Sequence, residues 1–168
     1  MNSSSPARPV LDAEAAAFLL RPGVSLAAAT CDESNVPRIG RCVGCRVSKD
    51  RSSVTVLVAS QQYQAFFEAL RATRAIAVVC SLPSTHRTIQ LKGSEAVIEP
   101  LARGDVEIVA SFVDSFVIEL ASLGYPEDLA RAYHWCDPTE LRAVRFMPAE
   151  AFEQTPGPGA GAPLARSA

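Results

Sequence analysis

A chain of 168 residues is long enough for one domain with a sizeable core, and 48% hydrophobic with 20% charged residues excludes a disordered chain. A net charge of −2, with no Lys/Arg run, gives no pull toward nucleic acid or an anionic membrane. No apolar stretch has the length of a membrane span and the N-terminus lacks a secretory core, so the expected compartment is the cytoplasm.

Residues 1–10 are small, polar and proline-bearing, a flexible lead-in. Asp12 is placed to cap a helix through D-A-E-A-A-A-F-L-L, which Arg21-Pro22-Gly23 stops. Val24 to Thr30 fits a first strand; the turn formers from Cys31 to Pro37 and the extended Arg38 to Val47 complete a hairpin. After the turn at Lys49 to Ser53, V-T-V-L-V-A-S (Val54 to Ser60) is the clearest strand because β-branched residues dominate it. The period then changes: Tyr63, Phe66, Phe67 and Leu70 form a helical stripe.

Two strands follow, Ala75 to Ser81 and Arg87 to Ile98, joined by L-P-S-T-H. In the second, Thr88, Gln90 and Lys92 leave one face while Ile89 and Leu91 leave the other, so a core and a polar ligand can both be served. Gly93 comes next, where backbone can approach another group closely. Val109 to Leu120 carries a long amphipathic helix, Glu127 to Tyr133 a short one, and Leu141 to Phe146 alternates as a last strand. The tail from Thr155 is too rich in Pro and Gly for regular structure. These elements predict a mainly β, α+β fold: a six-stranded antiparallel barrel over residues 11–154 with peripheral helices, followed by the tail 155–168.

The residues offer little catalytic machinery of their own. His86 and His134 are the two histidines, no nucleophile elbow or phosphate loop is present, and no carboxylate pair is placed for acid/base work. Cys42 and Cys45 form a C-x-x-C inside R-C-V-G-C-R-V, which reads as strand. Metal or redox chemistry there competes with the reading of ordinary buried thiols, and no metal site is predicted. An enzyme built on this chain would rely on a cofactor.

The order of segments resembles the pyridoxamine 5′-phosphate oxidase-like, FMN-binding split-barrel family. Ala29-Thr30, a turn and Val36-Pro37 resemble its first hairpin; Arg41-Cys42-Val43-Gly44-Cys45-Arg46 resembles the R-x-V-x-x-K strand; Ala59-Ser60 entering a helix resembles T-x-x-x-S-x-K; Arg87 to Gly93 resembles R-Q-V-R-x-x-G. The resemblance implies a split β-barrel that forms a homodimer and binds FMN at the subunit interface, as a flavin-dependent oxidoreductase. A nicotinamide nucleotide or another small molecule would be its reaction partner. By position, Arg41 and Arg46 would meet the flavin or its phosphate, Ser60 the phosphate or ribityl chain, and Thr88 the ring, with Gln90 and Lys92 on the same face.

An unbroken strand would point Arg41 and Arg46 to opposite faces; a bulge at Gly44, or a division of labour between phosphate and substrate, would reconcile them. Gln64-Ala65-Phe66 replaces the basic S-R-K of the oxidases, and Phe66 fits the apolar stripe as a core aromatic. With the oxidases' C-terminal Trp and R-L motif also missing, the resemblance does not extend to pyridoxamine phosphate oxidation. The alternatives are a non-catalytic dimer that has lost flavin, or a deazaflavin- or haem-binding relative with His86 or His134 as iron ligand.

Overall fold

The computed structural model describes residues 11–164; the expected lead-in at 1–10 and the last four residues of the tail lie outside them. Asp12 accepts the Ala15 N–H at 2.7 Å and caps α1 (Ala13–Leu19), satisfying a donor that the first helical turn leaves free. The hairpin of β1 (Ser25–Cys31) and β2 (Pro37–Val47) follows, then β3 (Val54–Ala59), α2 (Gln64–Thr73), β4 (Ile76–Ser81), β5 (Thr88–Gly93) and β6 (Val97–Glu99). Two helices, α3 (Asp105–Ser122) and α4 (Glu127–Tyr133), precede β7 (Leu141–Phe146) and β8 (Glu150–Glu153).

All strands pair antiparallel in the order β6-β7-β3-β2-β1-β4-β5-β8. The expectation of six strands in a closed barrel is therefore corrected to eight in a sheet whose ends are β6 and β8. The strand expected over Arg87 to Ile98 breaks after Gly93. A Cβ there would lie 2.8 Å from the Met147 carbonyl oxygen and 2.9 Å from the Phe146 ring, so the close approach expected of this glycine is present. Beyond the break the chain leaves β8 and pairs with β7, in the same register: Lys92 faces Glu150 and Val97 faces Arg145. The strand missed in the sequence, β8, has four residues, too few for its period to register.

One face of the sheet encloses the main core, in which Leu26, Val56, Val78, Leu91 and Phe146 meet Phe18 of α1 and Phe66 and Phe67 of α2. Phe66 is 1% exposed, which makes it the core aromatic its spacing suggested. A smaller cluster of Val43, Leu57, Leu141 and Ala143 lies under Ile108 and Val109 of α3. Every residue of β3 is buried because the core covers one of its faces and the α3 cluster meets the other.

Of the two ways of reconciling Arg41 with Arg46, the bulge at Gly44 is present. Three steps along β2, from Cys42 to Cys45, match two along β3, from Val58 to Val56. Cys42 and Cys45 both join the main core, so Arg41 and Arg46 both turn outward. The bulge also brings Gly44 against α3, where a Cβ would meet Ile108 at 3.0 Å. No helix among the described residues is long and apolar enough to cross a membrane.

Candidate functional site

The outward face of β2, β1, β4 and β5 is a shelf built of small side chains. Register places Arg41, Ala27, Val79 and Gln90 in one row across the four strands, and Ile39, Ala29, Ala77 and Lys92 in the next. Each row spans about 14 Å at the usual strand spacing. On β1 and β4 nothing larger than valine stands in these rows, so the centre is flat and apolar while the rims carry guanidinium, amide and ammonium groups. Two concavities open on it. One, of about 430 Å³, lies between Thr30, Ala77, Lys92 and Glu150. The other, of about 330 Å³, lies between the sheet and the end of α4, lined by Ser25, Arg41, Tyr63, Ser81, Tyr133 and His134.

Four of the six cofactor residues named from the sequence belong to this shelf. The Thr88 hydroxyl lies 2.8 Å from that of Ser81, and the Thr88 N–H donates to Thr155 Oγ1 at 2.9 Å. Gln90 Oε1 meets Gln154 Nε2 at 3.5 Å, and Lys92 Nζ rests 4.8 Å above the Phe152 ring, so β8 and the first tail residues brace β5. Arg41 lies with its guanidinium carbon 3.5 Å from the Tyr133 ring centroid and donates to the Tyr133 carbonyl at the end of α4.

The other two are engaged within the chain. Arg46 Nε donates at 2.9 Å to Asp105, which is 1% exposed and also accepts the Ala102 N–H at 2.7 Å. Arg46 thus anchors the start of α3. The Ser60 hydroxyl donates to Glu140, at 2.9 Å to its carbonyl and 3.0 Å to its carboxylate, fastening the end of β3 to the turn before β7. Nothing in the sequence pointed to Tyr63 and Tyr133 at the shelf, because Tyr133 reaches Arg41 across 92 positions.

His134 and His86 differ sharply. His86 is exposed in the turn before β5 with a left-handed backbone, φ 57°. His134 is 2% exposed, packed edge-on against Phe112, Phe116 and Tyr133, and neither ring nitrogen has a hydrogen-bond partner. Burial, reinforced by the Arg41 cation, holds its pKa down at about 4, so the ring is neutral at pH 7. The five cysteines are free. Burial pushes the thiols of Cys42 and Cys80 up, and that of Cys45 up to about 12, which suppresses the thiolate that redox or metal chemistry needs. Among the described residues no group of three His, Cys, Asp or Glu side chains could hold a metal ion.

No protein-family model matches the chain, and no curated protein matches it in sequence. Solved structures do match in three dimensions. HupZ from Group A Streptococcus superposes with a TM-score of 0.52 at 12% identity, covering 89% of this chain and 99% of its own. An F420 reductase gives 0.51 at 13% identity, over 80% of this chain and 94% of its own. A proposed pyridoxamine 5′-phosphate oxidase from Lactobacillus delbrueckii gives 0.50 at 14% identity, over 87% and 97%. The fold is the pyridoxamine 5′-phosphate oxidase-like split barrel.

The open shelf has the shape that a flat cofactor would need. A planar ring system needs a floor without protruding side chains, and Ala27, Ala29, Ala77 and Val79 supply one. Arg41 and Lys92, at opposite rims, could hold an anionic group of such a ligand, and Thr88 and Gln90 could hydrogen-bond its polar atoms. The shelf lies open on one side within a single chain.

Proposed function

We propose that this chain binds FMN on the shelf of its split barrel as a homodimer and acts as an oxidoreductase on a small molecule. The observation that carries the reading is the pair of registered rows, Arg41-Ala27-Val79-Gln90 and Ile39-Ala29-Ala77-Lys92: a flat floor between two cationic rims. When bound, the flavin supplies the two-electron chemistry that the side chains lack. The chain's residues bind and orient it: Lys92 or Arg41 balances the phosphate, Thr88 and Gln90 fix the ring edge, and the small floor excludes water from one face. A second subunit closes the open side, since sites for molecules of this size bury most of the ligand. The fold shared with an F420 reductase and a proposed pyridoxamine 5′-phosphate oxidase supports a flavin-type ligand. Five free thiols suit a reducing cytoplasm.

The test is an absorption spectrum of purified protein before and after FMN addition and gel filtration. Retained flavin bands, with retention about tenfold weaker in Lys92→Ala, support the reading. A colourless protein that does not retain FMN rejects it. A second reading, a dimer that has lost flavin and acts by binding, is favoured by Arg46 and Ser60, whose polar groups are engaged inside the chain. That reading expects no flavin retention but an intact dimer.

A further inference from the structure

Among the described residues, the two ring nitrogens of His134 are the buried side-chain polar atoms without a hydrogen-bond partner. For stability alone the position calls for Phe or Leu, because an orphaned buried polar group costs free energy that an apolar one of similar shape does not. Yet His134 is one of the residues bordering the 330 Å³ groove beside the shelf, with Arg41 as the groove's cation and Tyr63 and Tyr133 as its aromatic walls. The Tyr133 ring packs edge-on against the imidazole, 4.9 Å away centroid to centroid, and carries the Arg41 guanidinium. Arg41 there donates to a neutral carbonyl, and a carboxylate competes well for the guanidinium because it brings a full opposite charge and can accept a bidentate pair.

We propose that this groove is a binding site for a small planar aromatic carboxylate, with Arg41 receiving the carboxylate and His134 hydrogen-bonding a polar substituent of the ring. Tyr63 and Tyr133 would flank the aromatic body, which takes Arg41 and the Ala27 and Val79 end of the floor in place of a flavin. The neutral imidazole has one donor and one acceptor, so a phenolic hydroxyl matches it. When Arg41 turns from the Tyr133 carbonyl to the carboxylate, the Tyr133 ring can shift within the groove and one imidazole nitrogen gains a partner.

The experiment uses flavin-free protein, so its result is independent of FMN retention. The probe is 4-hydroxybenzoate, followed by the ring ¹⁵N resonances of His134. A saturable shift with a millimolar midpoint is expected, about tenfold weaker for the uncharged 4-hydroxybenzamide and about tenfold weaker in Arg41→Gln. Benzoate, which lacks the hydroxyl, should bind without moving the imidazole nitrogens in the same way. His134→Phe fills the space of the ring and keeps the cluster packed; ligand-observed saturation transfer should then report severalfold weaker 4-hydroxybenzoate binding. The proposal is overturned by no saturable shift, by acid and amide binding equally, by an identical response to benzoate, or by undiminished affinity in His134→Phe. If Arg41→Gln loses its fold, the acid–amide pair and His134→Phe decide the matter.

Discussion

His134 sets a pH dependence whose sign follows from its burial. In the unfolded chain it titrates near the ordinary 6.5, whereas in the fold burial and Arg41 hold it at about 4. Between these values the unfolded chain takes up a proton that the folded one refuses, so stability falls as pH drops from 6.5 toward 4. The loss is complete near the lower value and amounts to about 3 kcal/mol. Denaturant melts from pH 7 to 4 should show this slope in the parent chain, and His134→Phe should remove that part of it. The same variant should gain about 1–2 kcal/mol at pH 7, because it replaces an unpartnered polar ring with an apolar one. A gain in stability at the expense of ligand affinity is the pattern of a position kept for binding.

Arg46 offers a second test at this scale. Asp105 is almost wholly buried and holds both the Arg46 guanidinium and the Ala102 N–H. Asp105→Ala should cost about 2–3 kcal/mol: a buried pair is broken and a backbone donor orphaned, with the partly exposed Arg46 recovering some hydration. Arg46→Met should lower the melting temperature while leaving FMN retention unchanged. A normal melting temperature with lost retention would instead place Arg46 at the cofactor.

At the scale of elements, the glycines separate close packing from mere flexibility. Gly93→Ala puts a methyl group 2.8 Å from the Met147 carbonyl oxygen, where backbone must shift, and should cost about 1–3 kcal/mol. Gly159→Ala, with nothing within 4 Å of its Cβ position, should stay within about 0.5 kcal/mol. Equal melting temperatures for the two would remove Gly93 as the reason the strand breaks. That break also marks the limit of what the sequence made legible. Alternation in Thr88 to Lys92 and the β-branched run of β3 report burial on one or two faces, so those strands could be read directly. Alternation carries no information about a strand changing partner, so β5 and β6 looked like one element. The bulge at Gly44 was legible because two arginines five positions apart had to be reconciled, and the glycine marked where. Which polar group each arginine meets was not legible, since Asp105 and Tyr133 arrive from helices 59 and 92 positions away.

For the whole molecule the proposed dimer turns on the shelf, whose apolar floor a second chain would cover. Ile39 is 65% exposed at the end of a row otherwise made of Ala29, Ala77 and Lys92, and Val36 at 43% lies in the turn leading into its strand. Exposed branched aliphatics bordering a floor of alanines stabilise association more than they stabilise the isolated fold. Ile39→Arg should therefore leave thermal stability near that of the parent while shifting sedimentation from dimer to monomer at micromolar concentration. If the cofactor site is shared between subunits, the same substitution should abolish FMN retention although Ile39 has no polar group to offer a flavin. A monomer that still holds FMN would mean that one chain suffices, and the shelf would need another wall from its own helices. The end of α4, already latched to the shelf by Arg41, is the element placed to provide it.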